Sequence, residues 1–330
     1  MFRTRRSCYI KRLSKLANEA ARSVEVVLKK LDNQQLENLM LSVESKGAEE
    51  APCIVLPVGD EPRPDRGYPV QPHVRFCQLW RWSDLRLPQE LKKLPVCQTP
   101  HNNVIICVNP YHWSYLSKPD SPPPPYSRHP QELSKSEDSA FSESRLTSQL
   151  SGSGEYSKPW CKVAYWELNV RVGRQFQTSN PTLNVFADLP HGDGMCLETL
   201  ASTRITENAS VLQTRTKIGQ GITMFKEDQK VWVYNRSEYP LFVNSPTLGP
   251  PNSEKLTVYK LLPGYCINIF DYELSKLNQR LRDSSTLKNG PIDEYAVRIS
   301  FAKGWGSSKY SRRCITCCPC WLEVMFLVHR

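Results

Sequence analysis

The sequence lacks the features that would mark a membrane protein, a secreted protein or a common type of enzyme. No stretch approaches the roughly 18 consecutive apolar residues that a membrane-spanning helix needs, so we expect no membrane insertion. The basic start, MFRTRRSCYIKRL, includes no apolar segment, which argues against a secretory signal. The sequence also has no G-x-S-x-G, no P-loop and no G-x-G-x-x-G after a predicted strand. We therefore expect no enzymatic activity.

Cysteine, by contrast, is plentiful, with 12 residues in a chain of 330. In a reducing compartment these cysteines are free thiols or metal ligands, and no disulfide framework is expected. Two triplets that fit glycosylation sites, Asn208-Ala-Ser210 and Asn235-Arg-Ser237, keep a secreted protein open as an alternative.

A linker rich in serine and proline separates two candidate domains. Residues 117–158 contain 12 serines and 6 prolines and no long apolar run, so they bury too little surface to offset the entropy of ordering. We divide the chain into residues 1–118, a linker at 119–158 and residues 159–330. These parts hold 18 basic and 12 acidic, 4 and 6, and 21 and 15 residues, so the formal charge of +10 divides into +6, −2 and +6.

The first part predicts a small mixed domain. Apolar residues at helical spacing over 11–31 predict one amphipathic helix, which Asp32-Asn33 ends. A second, shorter helix is predicted from Leu36 onward and ends near Gly47. Short strands or buried turns are predicted at 54–56, 74–79 and 104–108.

The last part is typical of an antiparallel β-sandwich, because β-branched and aromatic runs alternate with turn residues. The predicted strands are 161–166, 231–234, 241–243, 256–261, 267–270, 297–301 and 321–326. Residues 271–282 instead combine a capping aspartate, Asp271, with leucines at helical spacing, which predicts a helix.

Cysteine and histidine cluster near the end of the first part. Cys97 is followed by His101, and Cys107 is followed by His112, which are spacings that supply pairs of zinc ligands. The spacing alone is compatible with these four residues as the zinc ligands. It is equally compatible with a set in which Cys53 or Cys77 replaces His101. Buried structural cysteines beside an incidental histidine are the alternative.

The linker contains Ser121-Pro-Pro-Pro-Pro-Tyr126. Consecutive prolines favour a polyproline II helix that can dock into an aromatic groove, and a Pro-Pro-x-Tyr end is the pattern that WW domains prefer. Pro123, Pro124, Pro125 and Tyr126 are the predicted contacts. A plain stiff spacer is the alternative.

A third cysteine-rich segment, Cys314-Ile-Thr-Cys-Cys-Pro-Cys320, contains C-x-x-C twice. It could be a redox pair or half of a metal site. Because it leads directly into the apolar run 321–326, we interpret its cysteines as buried thiols at a strand edge.

Several motifs resemble those of Smad proteins. FCQLWRWSDL at 76–85 and CVNPYH at 107–112 are similar to the N-terminal MH1 domain. WCKVAYWE at 160–167, VWVYNR at 231–236, SFAKGWG at 300–306 and CPCWLE at 318–323 are similar to the C-terminal MH2 domain. The Pro-Pro-Pro-Tyr linker particularly resembles that of the inhibitory Smads.

The resemblance implies an α+β, zinc-binding MH1-like domain and a mainly β-sandwich MH2-like domain of the Smad/FHA type with flanking helices. Carried over by motif, the ligands of one structural zinc would be Cys53, Cys97, Cys107 and His112, which selects Cys53 over His101. The implied phosphoserine- and receptor-binding residues are Arg215, Lys217, Lys303, Trp305 and Arg312.

The resemblance also implies partners and an inhibitory role. Receptor-activated Smads end in a phosphorylated Ser-x-Ser tail, whereas this sequence has no serine after Ser311. We therefore expect an antagonist of TGF-β/BMP signalling that keeps the docking surface for activated type I receptor kinases and other Smads. The linker would recruit ubiquitin ligases of the HECT type through their WW domains. A location in both cytoplasm and nucleus is expected.

A zinc-containing, DNA-binding transcription regulator of the Smad family is the alternative function. DNA-binding Smads read bases with a basic hairpin, and the matching interval here, 57–72, has five prolines among its 16 residues. Asp60, Glu61 and Asp65 in this interval also oppose phosphate binding. These features argue against sequence-specific DNA reading.

Overall fold

Two large β-sheets, one small sheet and seven α-helices make up the described part of the chain. The computed structural model describes residues 5–18, 21–49, 51–59, 70–100, 104–117, 158–188, 194–202, 205–249, 257–283, 293–306 and 310–328. Within these ranges, no helix combines the length and the apolar character that crossing a membrane would require.

The helices are α1 (Arg5–Leu16), α2 (Ala21–Leu28), α3 (Asn33–Glu44), α4 (Pro72–Trp80), α5 (Leu197–Ala201), α6 (Ala209–Arg215) and α7 (Tyr272–Asp283). The strands of the first half are β1 (Val55–Pro57), β2 (Leu91–Lys93), β3 (Ile105–Cys107) and β4 (Trp113–Leu116). Those of the second half are β5 (Cys161–Glu167), β6 (Val170–Thr178), β7 (Thr182–Phe186), β8 (Gly194–Cys196), β9 (Ile222–Glu227), β10 (Lys230–Asn235), β11 (Leu241–Asn244), β12 (Tyr259–Leu261), β13 (Tyr265–Asp271), β14 (Ala296–Phe301) and β15 (Trp321–Phe326). Three single 3₁₀ turns lie at Pro88–Glu90, Pro110–His112 and Ile315–Cys317.

The single helix predicted over 11–31 is wrong, because the structure has two helices there, α1 and α2. Asn18 lies at the break between them. Its backbone N–H donates to Leu79 O at 2.7 Å, and its side-chain amide donates to Gln78 O at 3.0 Å. These bonds satisfy the carbonyl end of α4, so a tertiary contact overrides the continuous apolar pattern.

The strand or turn predicted at 74–79 is also wrong, because these residues belong to helix α4. Pro72 occupies its first turn, where the missing N–H costs nothing. Every residue of α4 is buried, so no polar face shows the helical period in the sequence. Helix α4 packs with α1, α2 and α3 around a core that includes Leu13, Leu36 and Phe76.

The predicted β-sandwich of the second half is confirmed. Six antiparallel strands follow the order β12-β11-β14-β15-β5-β6, and the facing sheet has the order β2-β4-β13-β10-β9-β7-β8. Alternate residues of β10, Val231 and Val233, are fully buried between the sheets, as are Val297 and Ile299 of β14. Helix α7 begins after Asp271, whose carboxylate accepts the N–H groups of the first turn, as predicted.

The facing sheet continues from one half of the chain into the other. Strand β4 of the first half pairs in parallel with strand β13 of the second half. The paired residues of β13 are Tyr265 and Cys266. The Ser117 N–H donates to Cys266 O at 2.8 Å, and the Tyr115 and Tyr265 rings stack with centroids 4.9 Å apart. The two halves, which the sequence suggests are separate units, therefore share one sheet.

Candidate metal centre and basic loop cluster

Four side chains from separate elements meet in the first half. They are Cys53, just before β1; Cys97, in the loop after β2; Cys107, at the end of β3; and His112, in the turn before β4. Their ligand atoms all lie within 4.8 Å of one another, and three of the four residues are buried. Among the residues that the structure describes, this is the one group of three or more Cys, His, Asp or Glu side chains that could hold a metal ion.

The spacing of these atoms fits a tetrahedral metal ion. Bonds of about 2.3 Å to sulfur and about 2.0 Å to nitrogen place sulfurs about 3.8 Å apart and a sulfur and a nitrogen about 3.5 Å apart. Cys53 Sγ lies 3.8 Å from Cys97 Sγ and 3.5 Å from His112 Nδ1. Cys107 Sγ also lies 3.5 Å from His112 Nδ1. Three of the six distances among the ligand atoms therefore match a tetrahedral site, and the others do not exceed 4.8 Å.

The histidine is oriented for ligation by a contact on the far side of its ring. His112 Nε2 lies 3.0 Å from Ala51 O, a carbonyl that can only accept, so this nitrogen carries the proton. Nδ1 then faces the cysteines with a free lone pair. Proton sharing between two of the thiols also favours a thiolate at Cys97, since a hydrogen bond with Cys107 is the main cause that lowers the pKa of Cys97 to about 3, whereas the same contact raises the pKa of Cys107. A thiolate is the form of cysteine that binds a metal.

Of the two other ligands that spacing left open, the structure describes only Cys77, which is not part of this group. Cys77 is fully buried in α4, and its thiol lies 4.0 Å from Pro110 O. His101 lies outside the described residues, as do residues 60–69 of the proline-rich interval. The residues of the Pro-Pro-Pro-Tyr motif are outside the described ranges too.

A second candidate site is a cluster of three cations, Lys217, Lys303 and Arg312, which we call the basic loop cluster. Lys217 follows α6, and the other two residues lie in the loop between β14 and β15. Burial, and then the charges of Lys217 and Arg312, lower the pKa of Lys303. The three cations are therefore close enough to repel one another, and a bound anion would relieve that repulsion.

The loop that carries Lys303 is held from several sides. The Lys303 carbonyl accepts the Ser300 hydroxyl at 2.7 Å and the Cys318 thiol at 3.7 Å, and the Gly306 N–H donates to Arg312 O at 2.9 Å. Gly304 has no room for a side chain, because a Cβ there would lie 2.8 Å from the Tyr310 ring. These contacts fix the spacing of Lys303 and Arg312 before any ligand binds.

Two of the five residues assigned to this surface have other contacts. Trp305 is 1% exposed and packs with Phe242 and Trp321, so it supports the loop from inside and does not reach a bound segment in this conformation. Arg215 forms a two-point ion pair with Glu167, with distances of 2.7 and 2.9 Å. Sequence reasoning missed Glu167, because a buried carboxylate at the end of an apolar strand has no signal in the sequence.

The cysteines of the segment 314–320 divide into two kinds. Cys318 and Cys320 are fully buried, as the interpretation of strand-edge thiols requires. The same interpretation is wrong for Cys314, which is half-buried, and for Cys317, which is exposed. A 3₁₀ turn before β15 directs these two thiols to the surface. All 12 cysteines are unpaired in this structure.

Comparison with known families identifies both halves. The MH1 domain family matches residues 20–117, and the MH2 domain family matches residues 158–327. The chain belongs to the Smad family. The Cys/His group of this Smad lies within the MH1 match and its basic loop cluster within the MH2 match.

Similarity to homologs 6 and 7, which are the inhibitory Smads, places this Smad in the inhibitory branch. Mothers against decapentaplegic homolog 6 of Gallus gallus is 42% identical over 97% of this chain and 78% of its own length. Mothers against decapentaplegic homolog 7 of Homo sapiens is 40% identical over 91% of this chain and 76% of its own length. Dwarfin sma-3 of Caenorhabditis elegans is 32% identical over 77% of this chain and 72% of its own length. The resemblance inferred from the sequence motifs is confirmed.

Proposed function

We propose that this Smad is a signalling adaptor that antagonises TGF-β/BMP-type signalling. Its basic loop cluster would bind phosphoserine segments of activated type I receptors or of their Smad complexes and so block productive assembly. The observation that carries this proposal is that Lys303 and Arg312 lie on one held loop and that Lys217, after α6, is close enough to Lys303 for its charge to help lower the Lys303 pKa. Cations held together in this way favour a ligand with two negative charges.

The energetics of the loop support tight recognition of phosphate. Each charge-assisted hydrogen bond from these side chains to a phosphoserine contributes about 1.5–3 kcal/mol. Because Trp305 is buried beneath the loop and Gly304 lies against the Tyr310 ring, the backbone of the loop loses less entropy when the ligand binds. Arg215 contributes in this scheme only with the donors that Glu167 leaves free.

The linker supplies the second part of the proposal. Its Pro-Pro-Pro-Tyr motif, Pro123–Tyr126, would recruit a ubiquitin ligase of the HECT type through a WW domain, which brings degradation to the bound receptor. Such an adaptor would act in the cytoplasm and in the nucleus.

The MH1 half would depend on one structural zinc ion. Cys53, Cys97, Cys107 and His112 would hold it in a closed tetrahedral site, with a net charge of −1 and no open position. Three thiolates favour zinc over a hard cation such as magnesium. Strands β1 and β3 have only three residues each, so they connect the loops around the site weakly. An ion bound to the four ligands would hold these loops together.

A charge-reversal variant tests the role of the basic loop cluster. Lys303→Glu with Arg312→Glu should abolish binding of the full-length chain to a phosphorylated type I receptor segment, measured by calorimetric titration. The matched control is Lys276→Glu with Arg280→Glu on the exposed face of α7, which changes the net charge equally and should leave the affinity unchanged. Equal affinity of the two double variants would show that the cluster is not the binding site.

The linker is tested separately from the cluster. Tyr126→Ala should abolish binding to an isolated WW domain, because its pocket loses the tyrosine ring, and should leave the phosphopeptide affinity unchanged. Undiminished WW binding by the variant would refute recruitment through this motif.

A further inference from the structure

Two cysteines at the surface of the MH2 half form a close thiol pair that the proposed function does not use. Cys314 and Cys317 flank a single 3₁₀ turn, and the Cys317 N–H donates to Cys314 O at 3.2 Å. Their sulfur atoms are 3.2 Å apart, and Cys317 is exposed to solvent. A disulfide needs a sulfur separation of about 2.0 Å, so a small side-chain rotation would bring the sulfurs within bonding distance.

The pair differs from the other thiols near it. Burial raises the pKa of Cys318 to about 11 and that of Cys320 to about 12, which keeps both as inert core thiols. Cys314 and Cys317 do not belong to the metal-ligating group of the described residues. Cys8 is also exposed, but it lies alone on α1. This pair therefore combines two sulfur atoms that lie close together with a thiol that is exposed to solvent.

The surroundings of the pair assign different roles to its two thiols. Burial acts to raise the pKa of Cys314, but hydrogen bonds with the Thr316 hydroxyl and the Cys317 thiol, and with backbone N–H groups, outweigh it and lower the pKa. The Thr316 oxygen is 3.1 Å from the Cys314 sulfur. The hydrogen bond to Cys314 is the main cause that raises the pKa of Cys317. Cys314 is thus the attacking thiol and Cys317 the resolving thiol.

We propose that Cys314 and Cys317 form a reversible dithiol–disulfide site whose reaction partner is a low-molecular-weight disulfide of the glutathione type. The Cys314 thiolate attacks one sulfur of that disulfide, whose S–S bond breaks and releases one glutathione thiolate. The Cys317 thiol then gives up its proton to the released thiolate and attacks the Cys314 sulfur, which expels the second glutathione as a thiolate. That thiolate takes up the proton that Cys314 released to solvent when it ionised. The two protein thiols lose two electrons and two protons, and one glutathione disulfide becomes two glutathione thiols.

The site lies beside the basic loop cluster, so its oxidation would affect phosphate binding; this step rests on the proposed function. Arg312 is close enough to lower the pKa of Cys317 electrostatically. When Cys314 is ionised, the hydrogen bond shares its negative charge with Cys317, and this charge competes with a phosphate for Arg312. Oxidation removes that charge, so the phosphopeptide affinity should rise several-fold.

Peptide mapping of the full-length chain in glutathione buffers tests the site itself. As the fraction of oxidised glutathione rises, the peptide that begins at Cys314 should lose two hydrogens, with the new bond between Cys314 and Cys317, and dithiothreitol should reverse the change. Cys8 provides an internal control, because a solitary exposed thiol should only gain glutathione. In Cys317→Ser, Cys314 should stop at the glutathione adduct. The proposal is overturned if Cys314 and Cys317 stay reduced where Cys8 is modified, or if Cys317→Ser still loses two hydrogens.

A second measurement separates this site from the proposed function. Reduced and oxidised protein are titrated with the phosphorylated receptor segment, and Cys317→Ser is titrated as a control that cannot form the bond. Several-fold tighter binding by oxidised wild type alone supports the coupling, and equal affinities refute it. If the reduced protein does not bind the segment at all, the proposed function fails, while the mapping result still decides whether the dithiol site exists.

Discussion

Single buried side chains hold charges and protons in fixed places in this Smad. The Glu167 carboxylate is 1% exposed, and it accepts the Tyr165 hydroxyl as well as the two-point contact from Arg215. Such a pair is costly to break because it leaves an uncompensated charge in the core. The His112 ring is similarly fixed by one carbonyl, that of Ala51. Chemistry at the two candidate sites therefore depends on residues that do not themselves face a ligand.

The metal centre gives the first prediction at this scale. In Cys53→Ser, a weakly ligating hydroxyl replaces a thiolate, so the metal content of the purified chain should fall well below one zinc per molecule. The MH1 half should become far less stable, because a structural zinc contributes on the order of 10 kcal/mol to folding. Elemental analysis and thermal unfolding measure the two effects. Cys8→Ser on the surface of α1 is the control, and equal zinc contents in the two variants would disprove the assignment.

His73 gives a second prediction, which concerns pH. Its ring is 2% exposed beside Trp113, and burial lowers its pKa to about 4 from 6.5. Between these values the unfolded chain binds a proton that the folded chain does not, so stability falls as the pH drops from 6.5 towards 4. The full loss is about 3 kcal/mol.

The variant His73→Phe keeps an aromatic ring at this position and removes the titration. Measured by urea unfolding, the stability of wild type minus that of the variant should decrease steadily below pH 6.5. Acid release of zinc affects both proteins alike and cancels in the difference. A difference that is independent of pH would show that His73 does not remain neutral in the fold.

At the scale of elements, sequence reasoning succeeds where a strand is a short apolar run between turn residues or where a helix has one apolar face. Helix α7 was predicted from its capping aspartate and the helical spacing of its leucines, and the core strands β5, β10, β14 and β15 from β-branched and aromatic runs between turn residues. Strand β6, VRVGRQFQT, was missed because its exposed face carries charges and Gly173 interrupts the pattern. Helices α1 and α2 were merged because Asn18 bonds to a residue 60 positions away, which no local pattern shows.

Residues of the candidate sites were likewise predictable only where the sequence carries a local pattern or a family motif. The metal ligands were predictable because Cys/His spacing and a family motif coincide there. The cations of the basic loop cluster were predictable only through the family resemblance, since a lone lysine has no spacing signal. The burial of Trp305 and the exposure of Cys317 depend on how one loop folds back, so only the structure provides them.

The start of α3 gives the prediction at the scale of elements. The Gln35 side chain accepts the Asp32 N–H at 3.0 Å, which completes a capping box, and it donates to Val55 O of β1 at 3.0 Å. Gln35→Ala removes both bonds and should lower the free energy of unfolding by about 1–3 kcal/mol. Glu37→Ala, on the exposed face of the same helix, should change it by less than about 0.5 kcal/mol. Equal effects in chemical denaturation would mean that the cap does not stabilise the helix.

For the whole molecule, the parallel pair of β4 and β13 makes the two halves one structural unit. Arg81 lies at the centre of this junction. Its guanidinium donates to Pro110 O, to Trp113 O and, across the junction, to the Tyr234 hydroxyl at 3.3 Å. It also stacks 3.9 Å above the Trp82 ring. An arginine so constrained cannot move aside easily, and its neighbours must therefore leave it space.

Gly264 leaves that space, and it provides the last prediction. Its φ is +80°, and a Cβ would lie 2.4 Å from Arg81 Nη2 and 3.3 Å from the Trp82 ring. Gly264→Ala should therefore strain the turn and displace Arg81, which weakens the pairing of β4 with β13. Gly219→Ala is the matched control, since its φ is +52° and no atom lies within 4 Å of the added methyl.

Hydrogen exchange of the strand amides distinguishes strain from loss of the junction. The Tyr115 and Ser117 N–H groups donate to Gly264 O and Cys266 O across the two halves. Both amides should exchange faster in Gly264→Ala and at the wild-type rate in Gly219→Ala, although both substitutions strain the backbone by about 1 kcal/mol or more. Unchanged exchange in Gly264→Ala would show that the pairing of β4 with β13 does not depend on the position of Arg81.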